Sequence, residues 1–259
     1  MSAEAESRQL AYRAITLLDL TELGDAAGER EIEILCRKAR GTAYVPMVAA
    51  VCVWPRHVAQ AQSALHGTPI RLASVVNFPS GEQVLGDILS ETHAALAAGA
   101  DEIDLVFPWR AFLAGDVAGA EDVVAKIRAV LPAGRILKVI LETGSYPDLA
   151  SIRHAADSAI RTGAHFVKTS TGKAGSGASP EAARTMLNAI LSSPRAVGLK
   201  PSGGIRTLAD AALYMSLSDD MMGPGWAQPE TFRLGASGLY DALAAVLTGG
   251  PSKSAEGVY

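Results

Sequence analysis

Two lysines sit inside short apolar runs, where a lone ammonium is out of place. Lys168 lies in His165-Phe166-Val167-Lys168-Thr169-Ser170-Thr171-Gly172-Lys173, and Lys200 in Val197-Gly198-Leu199-Lys200-Pro201-Ser202-Gly203-Gly204. A third run, Asp101-Glu102-Ile103-Asp104-Leu105-Val106-Phe107-Pro108, carries carboxylates in the same setting. Strand interiors favour β-branched and aromatic residues, and each charge alone is costly to bury. Together they offset one another and shift one another's proton affinity. Two lysines and an acid on buried strands point to amine chemistry, an enzyme working through a Schiff base. A lysine at its ordinary pKa of about 10.4 is protonated at neutral pH and cannot attack a carbonyl. A second cation and an apolar wall both favour the neutral amine.

Side chains alternate along a strand, so Phe166, Lys168 and Ser170 share a face, as do Gly198 and Lys200, and Glu102, Asp104 and Val106. Neighbouring strands about 4.8 Å apart would bring lysines at matching heights together. The alternative turns one or both lysines toward the helices, with the ammonium reaching solvent. Asp104 reads as a proton shuttle beside the amine or as an ion-pair partner of Lys138 or Lys200, and the two roles are compatible. Lys138 belongs to the same polar group with no role assigned, and Asp19 is expected as a counter-charge. Three Gly/Ser/Thr-rich turns follow the last strands: Ser170-Thr171-Gly172-Lys173, Ser202-Gly203-Gly204-Ile205 and Gly235-Ala236-Ser237-Gly238. Backbone N–H groups in such turns bind phosphate, with Lys173 as an added point charge. Arg206 reads as a surface residue and Cys52 as an inert buried thiol.

The elements that must position these groups alternate. Strands are expected at Ile15–Leu20, Met47–Val53, Arg71–Asn77, Glu102–Phe107, Ile136–Glu142, Phe166–Ser170, Val197–Lys200 and Phe232–Gly235. Helices are expected at Glu29–Arg40, Arg56–Leu65, Gln83–Ala98, Ala118–Val130, Asp148–Thr162, Pro180–Leu191, Thr207–Ser218 and Ser237–Leu247, with a short extra helix before Ile15. Ser179-Pro180 reads as a cap followed by Pro at the first helical position, and Gly99 and Gly163 as helix ends. Eight strand–helix units point to an α/β, single-domain (β/α)8 barrel over residues 1–248, with a flexible tail over 249–259 ending in Tyr259. The rival, a doubly wound open sheet, usually carries a Gly-rich turn after its first strand; here that stretch reads Asp19-Leu20-Thr21-Glu22-Leu23.

The net charge of −4 over 259 residues leaves no basic footprint for nucleic acid. Cys36 and Cys52 fit no metal spacing or disulfide framework, and the histidines form no zinc pattern. No cofactor and no metal are expected. The acidic start lacks the apolar stretch of a signal peptide, and no run is long enough to span a membrane, so a cytoplasmic setting is expected.

At these residues the chain resembles the class I deoxyribose-phosphate aldolase family. The likeness extends almost end to end. It includes Leu18-Asp19-Leu20-Thr21, Ala50-Val51-Cys52-Val53-Trp54-Pro55, Val76-Asn77-Phe78-Pro79, the Lys138, Lys168 and Lys200 segments, and Arg233-Leu234-Gly235-Ala236-Ser237. The resemblance implies a TIM barrel that cleaves 2-deoxy-D-ribose 5-phosphate to glyceraldehyde 3-phosphate and acetaldehyde, in deoxynucleoside breakdown. It implies Lys168 as the Schiff-base lysine, Lys200 as the neighbouring cation and Asp104 as the proton donor and acceptor acting with water. Gly172, Lys173, Gly203, Gly204 and Ser237 match the phosphate pocket, and Tyr259 matches a C-terminal tyrosine that assists proton transfer. Gly238 stands where a second serine is common, and Ala43–Val48 lacks an Asn-Thr pair that some relatives carry. The expected partner is a small phosphorylated aldose, and a homodimer is in keeping with the family. Rival functions are another phosphosugar aldolase or isomerase on the same barrel, and a non-catalytic sugar-phosphate sensor.

Overall fold

Residues 2–250 are described by a computed structural model. The chain opens with helix α1 (Ala3–Thr16), capped by the Ser2 hydroxyl, and then alternates strand and helix. The strands are β1 (Leu18–Glu22), β2 (Ala50–Val53), β3 (Arg71–Val76), β4 (Glu102–Val106), β5 (Ile136–Ile140), β6 (Phe166–Lys168), β7 (Gly198–Lys200) and β8 (Leu234–Ala236). The helices that follow are α2 (Glu29–Ala39), α3 (Val58–Leu65), α4 (Leu85–Ala97), α5 (Trp109–Leu113), α6 (Val117–Val130), α7 (Leu149–Arg161), α8 (Pro180–Leu191), α9 (Leu208–Met222) and α10 (Leu239–Thr248).

All strand pairs are parallel, in the order β7-β6-β5-β4-β3-β2-β1-β8. The two outer strands meet through bridges Leu199–Phe232 and Ser202–Gly235, which close the sheet into a (β/α)8 barrel. The open-sheet rival is thereby excluded. Apolar residues at alternate strand positions, such as Ile103, Leu105, Leu137, Val139, Val167 and Leu199, form one continuous core with the helices. The other face points into the lumen. There a small apolar group of Leu23, Cys52, Ala73, Val75, Phe78, Val106 and Ile140 lies alongside the charged residues.

Register places those charges. Asp104 pairs with Lys138, Lys138 with Phe166, and Phe166 with Gly198; one step up, Ile140 pairs with Lys168 and Lys168 with Lys200. Gly198 is required here: a Cβ would lie 2.3 Å from the Phe166 ring. The two lysines therefore stand side by side on adjacent strands, as their spacing implied.

Several boundaries differ from expectation. Ile15 and Thr16 finish α1 instead of starting a strand, because Ala11, Ala14 and Ile15 form the buried stripe of a helix packed on α9 and α10. Asn77 (φ 56°) and Glu142 (φ 60°) adopt left-handed backbone, which ends β3 and β5 before the expected positions. Helix α9 continues to Met222, where Gly223 (φ 111°) stops it. The five-residue α5 had too little periodicity to be read from sequence. Ser179 and Pro180 open α8 as expected, the serine hydroxyl accepting from the Ala182 N–H.

Candidate active site

Seven charged side chains converge in the lumen: Asp19, Glu102, Asp104, Lys138, Lys168, Lys200 and Arg233, each at most 3 % exposed. Asp104 is the hub. Its Oδ1 accepts from Lys138 Nζ at 2.8 Å, and its Oδ2 accepts from both Lys168 Nζ (3.0 Å) and Lys200 Nζ (2.8 Å). Lys200 also donates to Asp19 Oδ2 at 2.5 Å. Lys138 lies 2.5 Å from Glu102 Oε2 and 3.5 Å from Asp19 Oδ2. Arg233 donates to Asp19 Oδ1 (2.6 Å) and Glu102 Oε1 (3.0 Å), and its ring-facing side stacks near Phe166, 5.7 Å from the centroid. None of these lysines snorkels toward solvent, so the helix-facing alternative is excluded.

The lysines are not equivalent. Burial works against the charge of all three. At Lys200, Asp104 and Asp19 outweigh that cost and raise the pKa. At Lys138, Asp104, Glu102 and Asp19 do the same more strongly. Among the described residues, Lys168 has the single carboxylate Asp104 in direct contact, shared with Lys200. Burial and then the Lys200 charge push its pKa down, and Asp104 only partly restores it. Asp104 itself is held well below the usual carboxylate range: burial opposes this, but Lys138, Lys200 and Lys168 together prevail. Lys168 is thus the member of the cluster that most readily gives up its proton, and a neutral amine beside retained cations is a nucleophile for a carbonyl.

Lys168 also forms the floor of a cavity of about 180 Å³ at the C-terminal mouth of the barrel. Gly172, Gly203, Gly204 and Ser237 line it, together with Arg206 and Gly238. Gly172, Gly203 and Gly204 all have φ between 80° and 86°, conformations that glycine alone adopts readily. The N-terminus of α10 opens onto the same cavity, so its free N–H groups favour an anion there. The β6 and β7 ends are locked together: the Ser202 N–H donates to Thr169 Oγ1 (2.9 Å), whose hydroxyl donates to the Ser202 carbonyl (3.1 Å).

Lys173 is placed differently from the expectation. It does not line the cavity; its ammonium pairs with Asp25 at 3.3 Å, across the mouth on the loop after β1. Arg206, read from sequence as a surface residue, is exposed and also lines the cavity mouth. Cys52 is fully buried, and burial followed by Asp104 pushes its thiol up to about 11, which keeps it protonated. Tyr259 lies outside the described residues. Among the described residues, no group of three or more His, Cys, Asp or Glu side chains could hold a metal ion, and no helix is long and apolar enough to cross a membrane.

Three functional candidates had no role assigned in the sequence. Glu102 shares the strand face of Asp104, and Arg233 alternates with Gly235 just before β8; both positions were legible as lumen-facing. Glu142 is buried at the end of β5, where its Oε2 accepts from the Thr171 N–H at 3.2 Å and so braces the cavity loop. Its signal, left-handed backbone at a non-glycine residue, exists only in three dimensions.

Residues 13–227 match the family model described as DeoC/LacD family aldolase. A deoxyribose-phosphate aldolase of Agrobacterium fabrum is 48% identical over 252 residues, 96% of each chain. The solved tetrameric deoxyribose phosphate aldolase from Aeropyrum pernix superposes with a TM-score of 0.75 at 26% identity, covering 96% of this chain and 99% of that one. The N-acetylmannosamine-6-phosphate 2-epimerase from Clostridium perfringens shares the fold alone, with a TM-score of 0.56 at 14% identity over 92% of this chain and 93% of that one. A closed barrel, a lysine of lowered proton affinity and a glycine-lined cavity above it accompany these matches, and the chain belongs to the DeoC/LacD family of aldolases.

Proposed function

We propose that this aldolase reversibly cleaves 2-deoxy-D-ribose 5-phosphate to D-glyceraldehyde 3-phosphate and acetaldehyde, with Lys168 as the imine-forming amine. The observation that carries this reading is the contrast between Lys168, whose proton affinity falls, and Lys138 and Lys200, whose affinities rise. The Agrobacterium relative, by its name, supports the substrate.

Lys168 Nζ attacks the aldehyde carbon of the open-chain sugar. Loss of water gives a protonated imine, an electron sink one bond from C2. A base takes the C3 hydroxyl proton, the C2–C3 bond breaks, and its electron pair moves into the enamine as glyceraldehyde 3-phosphate leaves. Asp104, acting with a water, is that base; when Lys168 becomes an imine, one donor to Oδ2 changes character and the carboxylate remains held by Lys138 and Lys200. Protonation of the enamine carbon, by Lys200 or Tyr259, and hydrolysis release acetaldehyde. Lys200 also keeps a positive charge beside the reacting nitrogen, which favours the free amine before each cycle. No step calls for a metal or an organic cofactor.

The substrate phosphate is held by Gly172, Gly203, Gly204 and Ser237, with the α10 N-terminus and Arg206 supplying positive potential. Lys173, paired with Asp25, acts at the rim. This anchoring keeps C1 in register with Lys168. The cleavage is read as a step of deoxynucleoside catabolism in the cytoplasm, with the catalytic barrel over residues 1–248 and Tyr259 assisting proton transfer at the enamine carbon. A homodimer is the assembly expected, and sedimentation gives the stoichiometry directly.

The test is turnover of deoxyribose 5-phosphate with a chelator present, in the wild type and in Lys168→Met. Release of both products by the wild type alone supports the reading. Equal turnover by the variant, or interconversion of the sugar phosphate without carbon–carbon cleavage, overturns it.

A further inference from the structure

Of the seven buried charges, three are carboxylates (Asp19, Glu102, Asp104) and three are cations whose proton affinity is raised (Lys138, Lys200, Arg233). These six close to zero among themselves. Among the described residues of this cluster, Lys168 is the fourth cation beside three counter-charges. Glu102 and Arg233 touch no part of the cavity, yet they hold the balance. Arg233 bridges Asp19 Oδ1 (2.6 Å) and Glu102 Oε1 (3.0 Å), and Glu102 grips Lys138 at 2.5 Å. Those partners, Asp19 and Lys138, are the ones that contact or approach Lys200 and Asp104. Arg71, 39% exposed, lies 3.5 Å from Glu102 Oε1 and forms the solvent end of the chain.

We infer that Glu102 and Arg233 are positioning residues that set the proton affinity of Lys168 from the layer beneath it, with opposite signs. The inference rests on Lys168 being the imine-forming amine. The groups facing Lys168 are Asp104 from β4, Lys200 from β7, Cys52 from β2 and Glu142 from the end of β5, with Arg206 at the mouth. Below them stand Lys138 on β5, Asp19 on β1, Glu102 on β4 and Arg233 before β8. Cys52 stays protonated, and Glu142 has its own brace on Thr171. Removing the Glu102 charge leaves the cluster with an extra positive charge, which favours neutral Lys168. Removing the Arg233 charge leaves an extra negative charge, which favours its protonated form.

Lumen positions one or two strand steps apart place the lower layer about 10 Å from Lys168. At that distance, and an effective dielectric of about 20, one uncompensated charge moves a pKa by about one unit.

The experiment measures the acid limb of the kcat/KM profile for deoxyribose 5-phosphate, in parallel with the pH dependence of borohydride trapping at Lys168. The variants are Glu102→Gln, Arg233→Met, the double variant and Arg233→Lys, each first checked by thermal melting. The limb is expected to move down by about one unit in Glu102→Gln and up by about one unit in Arg233→Met. It returns near the wild-type position in the double variant, where the balance is restored, and in Arg233→Lys, where the charge is kept. If either single variant does not fold, the double variant and Arg233→Lys still decide, because a role confined to packing predicts no recovery in charge-balanced Glu102→Gln/Arg233→Met. Limbs that stay fixed or move in the same direction overturn the inference while wild-type trapping at Lys168 stands. Wild-type trapping at another residue instead overturns the assignment of Lys168 itself.

Discussion

Replacing Lys200 with methionine isolates the electrostatic part of the mechanism, because Met keeps most of the lysine's volume and removes its charge. Lys168 and Lys200 both donate to Asp104 Oδ2, at 3.0 and 2.8 Å, so their nitrogens are no farther apart than these two distances laid end to end. At about 6 Å and an effective dielectric of about 20, the repulsion between two ammonium groups is about 3 kcal/mol, or about two pKa units. Loss of Lys200 also frees Asp104 to attract the Lys168 cation more strongly, which adds in the same direction. The pKa of Lys168 therefore rises. Below that pKa the neutral fraction falls tenfold for each unit, so kcat/KM near neutrality is expected to drop about 100-fold. The loss should shrink as the pH rises. The assay is kcat/KM for deoxyribose 5-phosphate cleavage across the neutral to alkaline range, with melting curves to confirm folding. A loss of constant size at every pH would refute the electrostatic reasoning and leave Lys200 as a direct proton donor alone. An acid limb that moved to lower pH would contradict the sign.

Other substitutions probe the remaining parts. Lys168→Met should cut turnover by about 10⁴-fold or more, as loss of a covalent nucleophile does, while the melting temperature holds because Asp104 keeps Lys138 and Lys200. Gly177→Ala would place a Cβ 2.3 Å from the Gly203 carbonyl oxygen; KM for deoxyribose 5-phosphate should rise while turnover of unphosphorylated deoxyribose changes less, measured with both sugars. Gly198→Ala would push a Cβ to 2.3 Å from the Phe166 ring, and chemical denaturation should show a loss of about 1–3 kcal/mol. The carboxyl pKa values of Asp19, Glu102 and Asp104 are lowered in the folded protein, so their contribution to stability is full above the unfolded range of about 4 and is lost as pH falls through the folded values. Acid titration monitored by circular dichroism should place the unfolding midpoint below pH 4; a midpoint well above it would contradict the buried network.

The barrel was legible because its strands are short apolar runs at regular spacing, and because strand alternation alone puts Lys168 and Ser170, or Glu102 and Asp104, on one face. Register was not in the sequence. Only the ladder that pairs Lys168 with Lys200 and Asp104 with Lys138 turns four scattered charges into one contact network. Arg233 went unassigned for a related reason: its partners Asp19 and Glu102 are 214 and 131 residues away along the chain. Helix α1 takes in Ile15 and Thr16 because two residues at a boundary fit either periodicity, and packing on α10 decided between them. Lys173 shows the limit of motif proximity, since one residue beyond Gly172 its ammonium pairs with Asp25 and it is not among the residues lining the cavity.

The most direct measurement is borohydride reduction of the wild-type protein in the presence of deoxyribose 5-phosphate, followed by peptide mass mapping. A reduced two-carbon or sugar-phosphate adduct is expected on Lys168 and none on Lys138 or Lys200. An adduct on Lys200 would reverse the roles of the two lysines, and folded, substrate-binding protein that forms no adduct would contradict the imine mechanism altogether.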